Sequence, residues 1–197
     1  VLTRGDHAPA DWLSGRQAQS PLAFNPRSLA TAPGIVPGGL VNPLTMRAFT
    51  GLGYLDEARA FFDWMLHATR LTWPELRVLY DVYGRAELEE RELGHWSGFC
   101  DSRPVRIGNG AHTQLQLDVY GAVCFAVREF ANATGALASD EARLLRGFGQ
   151  TVCRQWQQPD HGIWEIRGEP RQYTFSKVMC WAALDALVGL ADRGWLK

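Results

Sequence analysis

Apolar residues recur at helical spacing through most of the chain after residue 42. The apolar stripe of the clearest example comprises Ala58, Phe61, Phe62, Met65 and Leu66. A repeat of three or four residues between apolar side chains predicts amphipathic helices. The pattern predicts two helices within residues 42–70, separated by a turn at 51–53, and one helix each at 113–133, 139–156 and 174–191. Asp56 and Ser139 are predicted to cap two of them.

The remaining segments lack helical periodicity. Prolines and glycines interrupt residues 1–42, which predicts an irregular N-terminal arm ahead of a helical domain at 43–197. Residues 76–84 predict one or two short strands. The acidic run at 87–92 indicates a solvated face, and the Gly-, Ser-, Pro- and Asn-rich residues 95–111 indicate a loop. Helix pairs joined by short and long connections are typical of an all-α, α/α architecture with function on the long-loop face.

The composition is that of a folded chain, with 197 residues, 46% of them hydrophobic, and a net charge of −1. Balanced charge argues against a nucleic-acid partner, which would require a basic footprint. No membrane partner is expected, since no apolar run approaches the ~20 residues that cross a bilayer. The four cysteines lack metal-binding spacing, so no metal site is predicted. The absence of an apolar leader at the start predicts a cytoplasmic protein.

The loop between the last two predicted helices holds the densest group of reactive residues. Glu165 stands between Trp164 and Ile166, apolar neighbours that favour the protonated carboxyl, whereas Arg167 and Arg171 favour the ionised form. A carboxylic acid beside an indole suits general acid catalysis. The pattern leaves a second interpretation open, a surface-turn glutamate paired with an arginine.

Three blocks of sequence resemble one known family. Residues 159–168 read Pro-Asp-His-Gly-Ile-Trp-Glu-Ile-Arg-Gly, and the block continues at 173–185 into the last predicted helix. A second block lies at 102–121, and Gly-Leu-Gly-Tyr-Leu-Asp-Glu-Ala at 51–58 is the third. Together they resemble the glucoamylase-type glycoside hydrolases, family fifteen, from about residue 46 to residue 193.

The resemblance implies a six-fold α/α barrel, of which this chain would hold about five or six helices with long loops and a short β-hairpin. It implies inverting hydrolysis of α-glucosides, with carbohydrate as the partner and no cofactor. Glu165 matches the family's general acid and Trp164 would stack near the sugar. Arg103, Arg106 and Arg167 are the other implied substrate-binding residues. Inversion requires a second carboxylate ~6.5–9.5 Å from the acid.

The general base of that family has no match in this sequence, which leaves three interpretations. The first is a cut-down glucosidase, active on its own or as an oligomer. Its base would come from a partner chain or from Asp81, Asp101, Asp118 or Asp160. The second is an inactive helical module that binds carbohydrate or protein. The third is a remnant fold reused for another hydrolytic activity, with acid–base roles for His95, His112 or His161.

A partial barrel would also leave apolar helix faces uncovered. Soluble proteins rarely expose apolar patches beyond a few hundred Å². We therefore expect a homodimer or a higher oligomer, which light scattering would show, and a monomer would contradict it. Trp64, Trp156 and Trp181 stand on predicted helix faces and are expected in the core.

Overall fold

The computed structural model describes residues 43–81 and 83–196, and the predicted arm at 1–42 lies outside them. The described residues form five α-helices joined by long loops and one short hairpin. The helices are α1 (Pro43–Leu52), α2 (Leu55–Arg70), α3 (Asp118–Thr134), α4 (Ser139–Gln155) and α5 (Thr174–Asp192). The fold is an all-α partial α/α barrel, which confirms the sequence prediction.

The helix ends follow local signals, with two corrections. Gly53 turns the chain between α1 and α2 at a φ of +83°, a conformation that favours glycine. Asp56 lies inside the first turn of α2, because the helix already begins at Leu55. Ser139 is likewise the first residue of α4. The cap of α4 is supplied instead by the Glu141 carboxylate, which accepts the backbone N–H of residue 138 at 2.7 Å.

Helix α3 is the centre of the bundle and contacts the other four helices. It approaches α5 closely because Gly121 has no side chain: a Cβ there would lie 2.3 Å from the carbonyl oxygen of Met179. Aromatic side chains fill the space around α3, and the fully buried ones include Phe61, Phe62, Tyr80, Tyr120, Phe130 and Phe148. This packing places the N-terminus of α3 beside the start of α5, next to the loop that carries Glu165.

The hairpin lies later in the chain than the sequence predicted. Residues 76–79 contain no strand. The Tyr80 hydroxyl accepts the backbone N–H of Arg77 at 2.9 Å, so a side chain supplies a partner that a neighbouring strand would otherwise supply. The observed strands are β1 (Arg91–Glu92) and β2 (Arg106–Ile107), which pair antiparallel.

One face of α5 is apolar and exposed. Its large exposed side chains are Phe175, Val178, Trp181 and Val188. Trp181 is 66% exposed and Trp156 is 45% exposed, so the expectation that both lie in the core is wrong, whereas Trp64 is buried as predicted. A periodic apolar pattern locates a helix face without showing which other element covers it.

Helix α5 is also long and apolar enough, by length and composition, to cross a membrane. The apolar pattern along the chain did not predict such a segment. In the structure α5 packs on α3 and α4. Cys180, Ala183 and Leu190 of this helix are buried, and 33% of its apolar stretch is buried within the described structure.

Candidate active site

The loop between α4 and α5, residues 156–173, carries Glu165 near its middle and is closed at its base. We call it the Glu165 loop. Asp160 and Arg171 exchange two backbone hydrogen bonds of 2.9 and 2.8 Å, which close the loop. Glu165 has a φ of +51°, in the left-handed region. A residue with a side chain adopts this conformation only when its surroundings hold it there, and such residues concentrate at functional sites.

Residues just before α3 hold the base of this loop. The backbone N–H of Leu117 donates to Oδ2 of Asp160 at 2.9 Å. The backbone N–H of His161 donates to the carbonyl oxygen of Leu115, also at 2.9 Å. Asp160 is completely buried, so the loop is anchored in the interior of the protein.

The same segment holds the outer part of the loop through side-chain amides. Gln114 Nε2 donates to the carbonyl oxygen of Ile166 at 3.2 Å. Asn109 Nδ2 donates to Oε2 of Glu165 at 3.1 Å. The half-buried Glu165 carboxylate is thus tied to a residue 56 positions away in the chain.

Asn109 is itself held from several sides. Its Oδ1 accepts the backbone N–H of Ala111 at 2.9 Å, and its own backbone N–H donates to the carbonyl oxygen of Leu88 at 2.9 Å. The preceding Gly108 has a φ of +77°, and a Cβ there would lie 2.0 Å from the carbonyl oxygen of Glu89. Only glycine allows the backbone at residue 108 to come this close to Glu89, and this contact places Asn109 beside the segment that contains Leu88 and Glu89.

At the outer edge of the site, Glu90 links the Glu165 loop to the segment before α3. Its carboxylate pairs with Arg167 at 2.6 Å and accepts the backbone N–H of Gly110 at 3.2 Å. Arg106 Nε lies 3.5 Å from the same carboxylate. The hydrogen bond from Arg167 is the main reason that the pKa of Glu90 is lowered. Glu90 therefore stays ionised and keeps Arg167 beside the loop.

The structure brings some of the predicted site residues together and separates others. Glu165, Arg167 and Arg106 join one network through Glu90 and Asn109. Arg103 is exposed and donates to the carbonyl oxygen of residue 94 at 3.2 Å, with no bond to this network among the described contacts.

Trp164 and Ile166 do not provide the apolar shelter that the sequence indicated for the carboxyl. Trp164 is 83% exposed and Ile166 is 48% exposed. The described partner of Glu165 is the polar Asn109 amide. An exposed indole beside a half-buried carboxylate leaves a flat apolar face open to a ligand.

Two residues of the network were not singled out from the sequence. Asn109 stands inside the second block that resembles the family, and that block was the signal that could have identified it. Glu90 belongs to the acidic run predicted to be a solvated face. That prediction is wrong for Glu90, whose side chain is only 20% exposed because two arginines and Gly110 surround it.

The family Glycosyl hydrolases family 15 matches the chain over residues 42–195. The matched range includes the Glu165 loop, the segment before α3 and all five helices. The chain belongs to this family.

Among curated members of glycosyl hydrolases family 15, several trehalases are similar to the chain. A trehalase of Mycolicibacterium smegmatis is 40% identical over 144 residues, covering 72% of this chain and 22% of that protein. A trehalase of Thermoplasma volcanium is 39% identical over 147 residues, 74% of this chain and 23% of that protein. Trehalase 1 of Sulfolobus acidocaldarius is 38% identical, over 68% of this chain and 25% of that protein.

The matched part of the chain thus spans about a quarter or less of each of these relatives. No solved structure matches the chain.

The sequence offered four aspartates as candidates for the second carboxylate that the resemblance implies, and the structure separates them. Asp81, Asp118 and Asp160 are at most 5% exposed. Asp81 is held by Arg85, whose Nε lies 2.5 Å from its carboxylate. A base that activates water must reach that water, and these three side chains have almost no contact with solvent. Asp101 is the exposed member of this set.

The three candidate histidines have structural partners. His112 Nδ1 lies 2.9 Å from the carbonyl oxygen of Asn109, and His161 Nδ1 lies 3.3 Å from that of Leu115. His95 contacts the ring of Trp96 edge-on. These contacts give His112 and His161 roles in holding the segments around Glu165.

A buried carboxylate pair lies beneath the Glu165 loop. Asp118, in the first turn of α3, and Asp160 each have one oxygen without a hydrogen-bond partner among the described residues. Burial, with a smaller contribution from the charge of Asp160, raises the pKa of Asp118 to about 6. The folded state therefore holds a proton on Asp118 more tightly than the unfolded chain does.

The raised pKa of Asp118 makes the stability of the protein depend on pH. Because burial raises the pKa of Asp118 above its ordinary value of 3.8, the stability that this group contributes is complete below pH 3.8 and is lost as the pH rises through about 6. At 1.36 kcal/mol for each unit between the two values the loss is at most about 3 kcal/mol, and we expect roughly 2. Asp118→Asn, which carries no titrating proton, will show a smaller change in unfolding free energy between pH 4 and 7.5.

Urea unfolding at both pH values measures this difference. Asp140→Asn is the matched control, since Asp140 also lies in the first turn of a helix but is exposed. Asp140→Asn is expected to keep the pH dependence of the unmodified protein. The same pH dependence in Asp118→Asn would show that Asp118 does not hold this proton.

Proposed function

We propose that this chain supplies the general acid of a glycoside hydrolase site that cleaves α-glucosides with inversion. We propose trehalose as the substrate. The single observation that carries the proposal is Glu165, held at the middle of a closed loop by Asn109 beside the exposed Trp164. The curated relatives named trehalase support the choice of sugar.

Glu165 acts as the general acid in this proposal. It protonates the glycosidic oxygen as the bond to the anomeric carbon breaks, and a water attacks the opposite face of that carbon. The water gives its proton to a second carboxylate, supplied by the exposed Asp101 or by another polypeptide. Asp101 is preferred to Asp81, Asp118 and Asp160 because those three side chains are buried.

The remaining predicted site residues bind the sugar. Trp164 offers its indole face to a pyranose ring. Arg167 and Arg106, ordered by Glu90, donate to sugar hydroxyls at the edge of the loop. Arg103 is assigned to a more distant part of the substrate, because it is bonded outside this network.

The stereochemistry of trehalose cleavage tests the proposal. Inversion at one anomeric carbon releases one β-glucose and one α-glucose, so proton NMR early in the reaction will show equal amounts of the two anomers. Retention would give α-glucose alone and would contradict the mechanism. Maltose tests whether the leaving sugar must be glucose in the α,α-linkage.

The burial of three base candidates favours a second function, a module that binds carbohydrate without cleaving it. Quenching of tryptophan fluorescence by trehalose, abolished by Trp164→Leu, with no glucose released, would establish this alternative. If trehalose is neither bound nor cleaved, both functions fail.

The oligomer expected from the sequence remains part of the proposal. The exposed apolar side chains of α5, among them Phe175, Val178 and Trp181, support it, because water contact with such a face is unfavourable. Cytoplasmic location and the absence of nucleic-acid and membrane partners remain predictions from the sequence.

A further inference from the structure

We propose that Asn109 is a positioning residue that determines which oxygen of Glu165 carries the proton delivered to the sugar. The inference rests on the proposed function, since it concerns the same acid. It adds a residue to which the sequence assigned no role.

The orientation of the Asn109 amide follows from its second partner. A side-chain amide has one accepting oxygen and one donating nitrogen. The oxygen of Asn109 accepts the backbone N–H of Ala111 at 2.9 Å, so the nitrogen must be the group that faces Glu165. That nitrogen lies 3.1 Å from Oε2. Oε2 of Glu165 is therefore an acceptor.

This contact locates the acidic proton. A protonated carboxyl carries its hydrogen on one oxygen, and a hydrogen on Oε2 would compete with the N–H that Asn109 directs at that atom. The proton accordingly resides on Oε1. During cleavage the Oε1–H bond breaks, the proton binds the glycosidic oxygen, and the electron pair of the broken C–O bond stays with the departing alcohol. Glu165 is left as a carboxylate.

Asn109 also stabilises the charge that this step creates. A hydrogen bond to a carboxylate is stronger than one to the neutral acid, so the Asn109 bond strengthens as the proton leaves. The donor is fixed in advance by Leu88, Ala111 and the approach at Gly108, and no reorganisation is needed.

The contact is testable without catalysis. In protein carrying 15N-labelled asparagine, the side-chain amide signal of Asn109 will shift as Glu165 loses its proton, and Glu165→Gln will remove that shift. Asn132, whose Oδ1 accepts a bond from Arg193, provides a reference signal. An Asn109 signal with the same pH response in both proteins would overturn the inference.

The positioning role is tested by Asn109→Asp. The aspartate keeps an oxygen for the Ala111 N–H but presents an oxygen in place of the donor. We expect kcat for trehalose to fall by about 10²-fold, with KM changed much less. Hydrolysis of α-glucosyl fluoride, whose leaving group needs less protonation than an alcohol, will fall much less.

A general structural defect would lower the rates of hydrolysis of both substrates equally, and that result would overturn the positioning role. Asn132→Asp makes the same change on the exposed surface and is expected to leave both rates unchanged. If the unmodified protein cleaves neither substrate, the proposed function fails, while the amide signal still decides whether Asn109 holds Glu165.

Discussion

Glu165→Gln is expected to lower the rate of glucose release from trehalose by about 10²- to 10⁴-fold, the loss typical for removal of a general acid or base. Glutamine has nearly the same shape, and its amide oxygen can accept the Asn109 N–H that now reaches Oε2 at 3.1 Å. It has no acidic proton to deliver. Binding of trehalose, followed by tryptophan fluorescence, is therefore expected to persist while kcat falls.

Glu169→Gln is the matched control, because Glu169 is exposed in the same loop four positions further along. This variant is expected to retain the full rate. If Glu165→Gln also retains it, the proton comes from another group and the assignment of Glu165 as the acid is wrong. Loss of binding in Glu165→Gln would instead indicate that the side chain holds the sugar in the ground state.

Gly121→Ala is expected to destabilise the fold by about 3 kcal/mol or more, although alanine is the better helix former. The added methyl group would lie 2.3 Å from the carbonyl oxygen and 2.8 Å from the carbonyl carbon of Met179. Both atoms are helix backbone, so α3 and α5 must move apart to make room. Because α3 contacts the other four helices, the cost falls on the whole bundle.

Urea unfolding measures this loss, with Gly189→Ala as the control. Gly189 lies in α5, and its added Cβ would meet Arg128 of α3 at an ordinary 3.7 Å. That variant is expected to gain roughly 0.5–1 kcal/mol, since alanine loses less backbone entropy in a helix. Equal effects of the two substitutions would show that the contact at Gly121 is looser than described.

Local pattern was sufficient to predict the helices. The apolar stripe that includes Phe61, Phe62 and Met65 predicted α2, and Thr174 was predicted and is observed as the start of α5. Helix α3 begins at Asp118, five residues after its predicted start, because the backbone of Leu115 and Leu117 is hydrogen-bonded to the Glu165 loop instead. Periodicity locates a helix, whereas its ends depend on which hydrogen bonds the neighbouring loops supply.

The candidate site was only partly predictable. The sequence singled out Glu165 and its neighbours Trp164 and Arg167, because their residue types stand together in one loop. It could not pair Glu165 with Asn109, 56 positions away, or Arg167 with Glu90, 77 positions away. Such pairs form only when packing brings distant segments together.

The sequence by itself determined the helical class, which depends on spacing and residue type over short stretches, and its resemblance to family fifteen supplied Glu165 as the proposed acid. The tertiary structure decided the partner of Glu165, the burial of Asp118 and Asp160 and the exposure of Trp181. Hydrogen bonding and burial depend on which surfaces meet. In this protein the close approach of α3 and α5 at Gly121 brings the segment before α3 against the Glu165 loop.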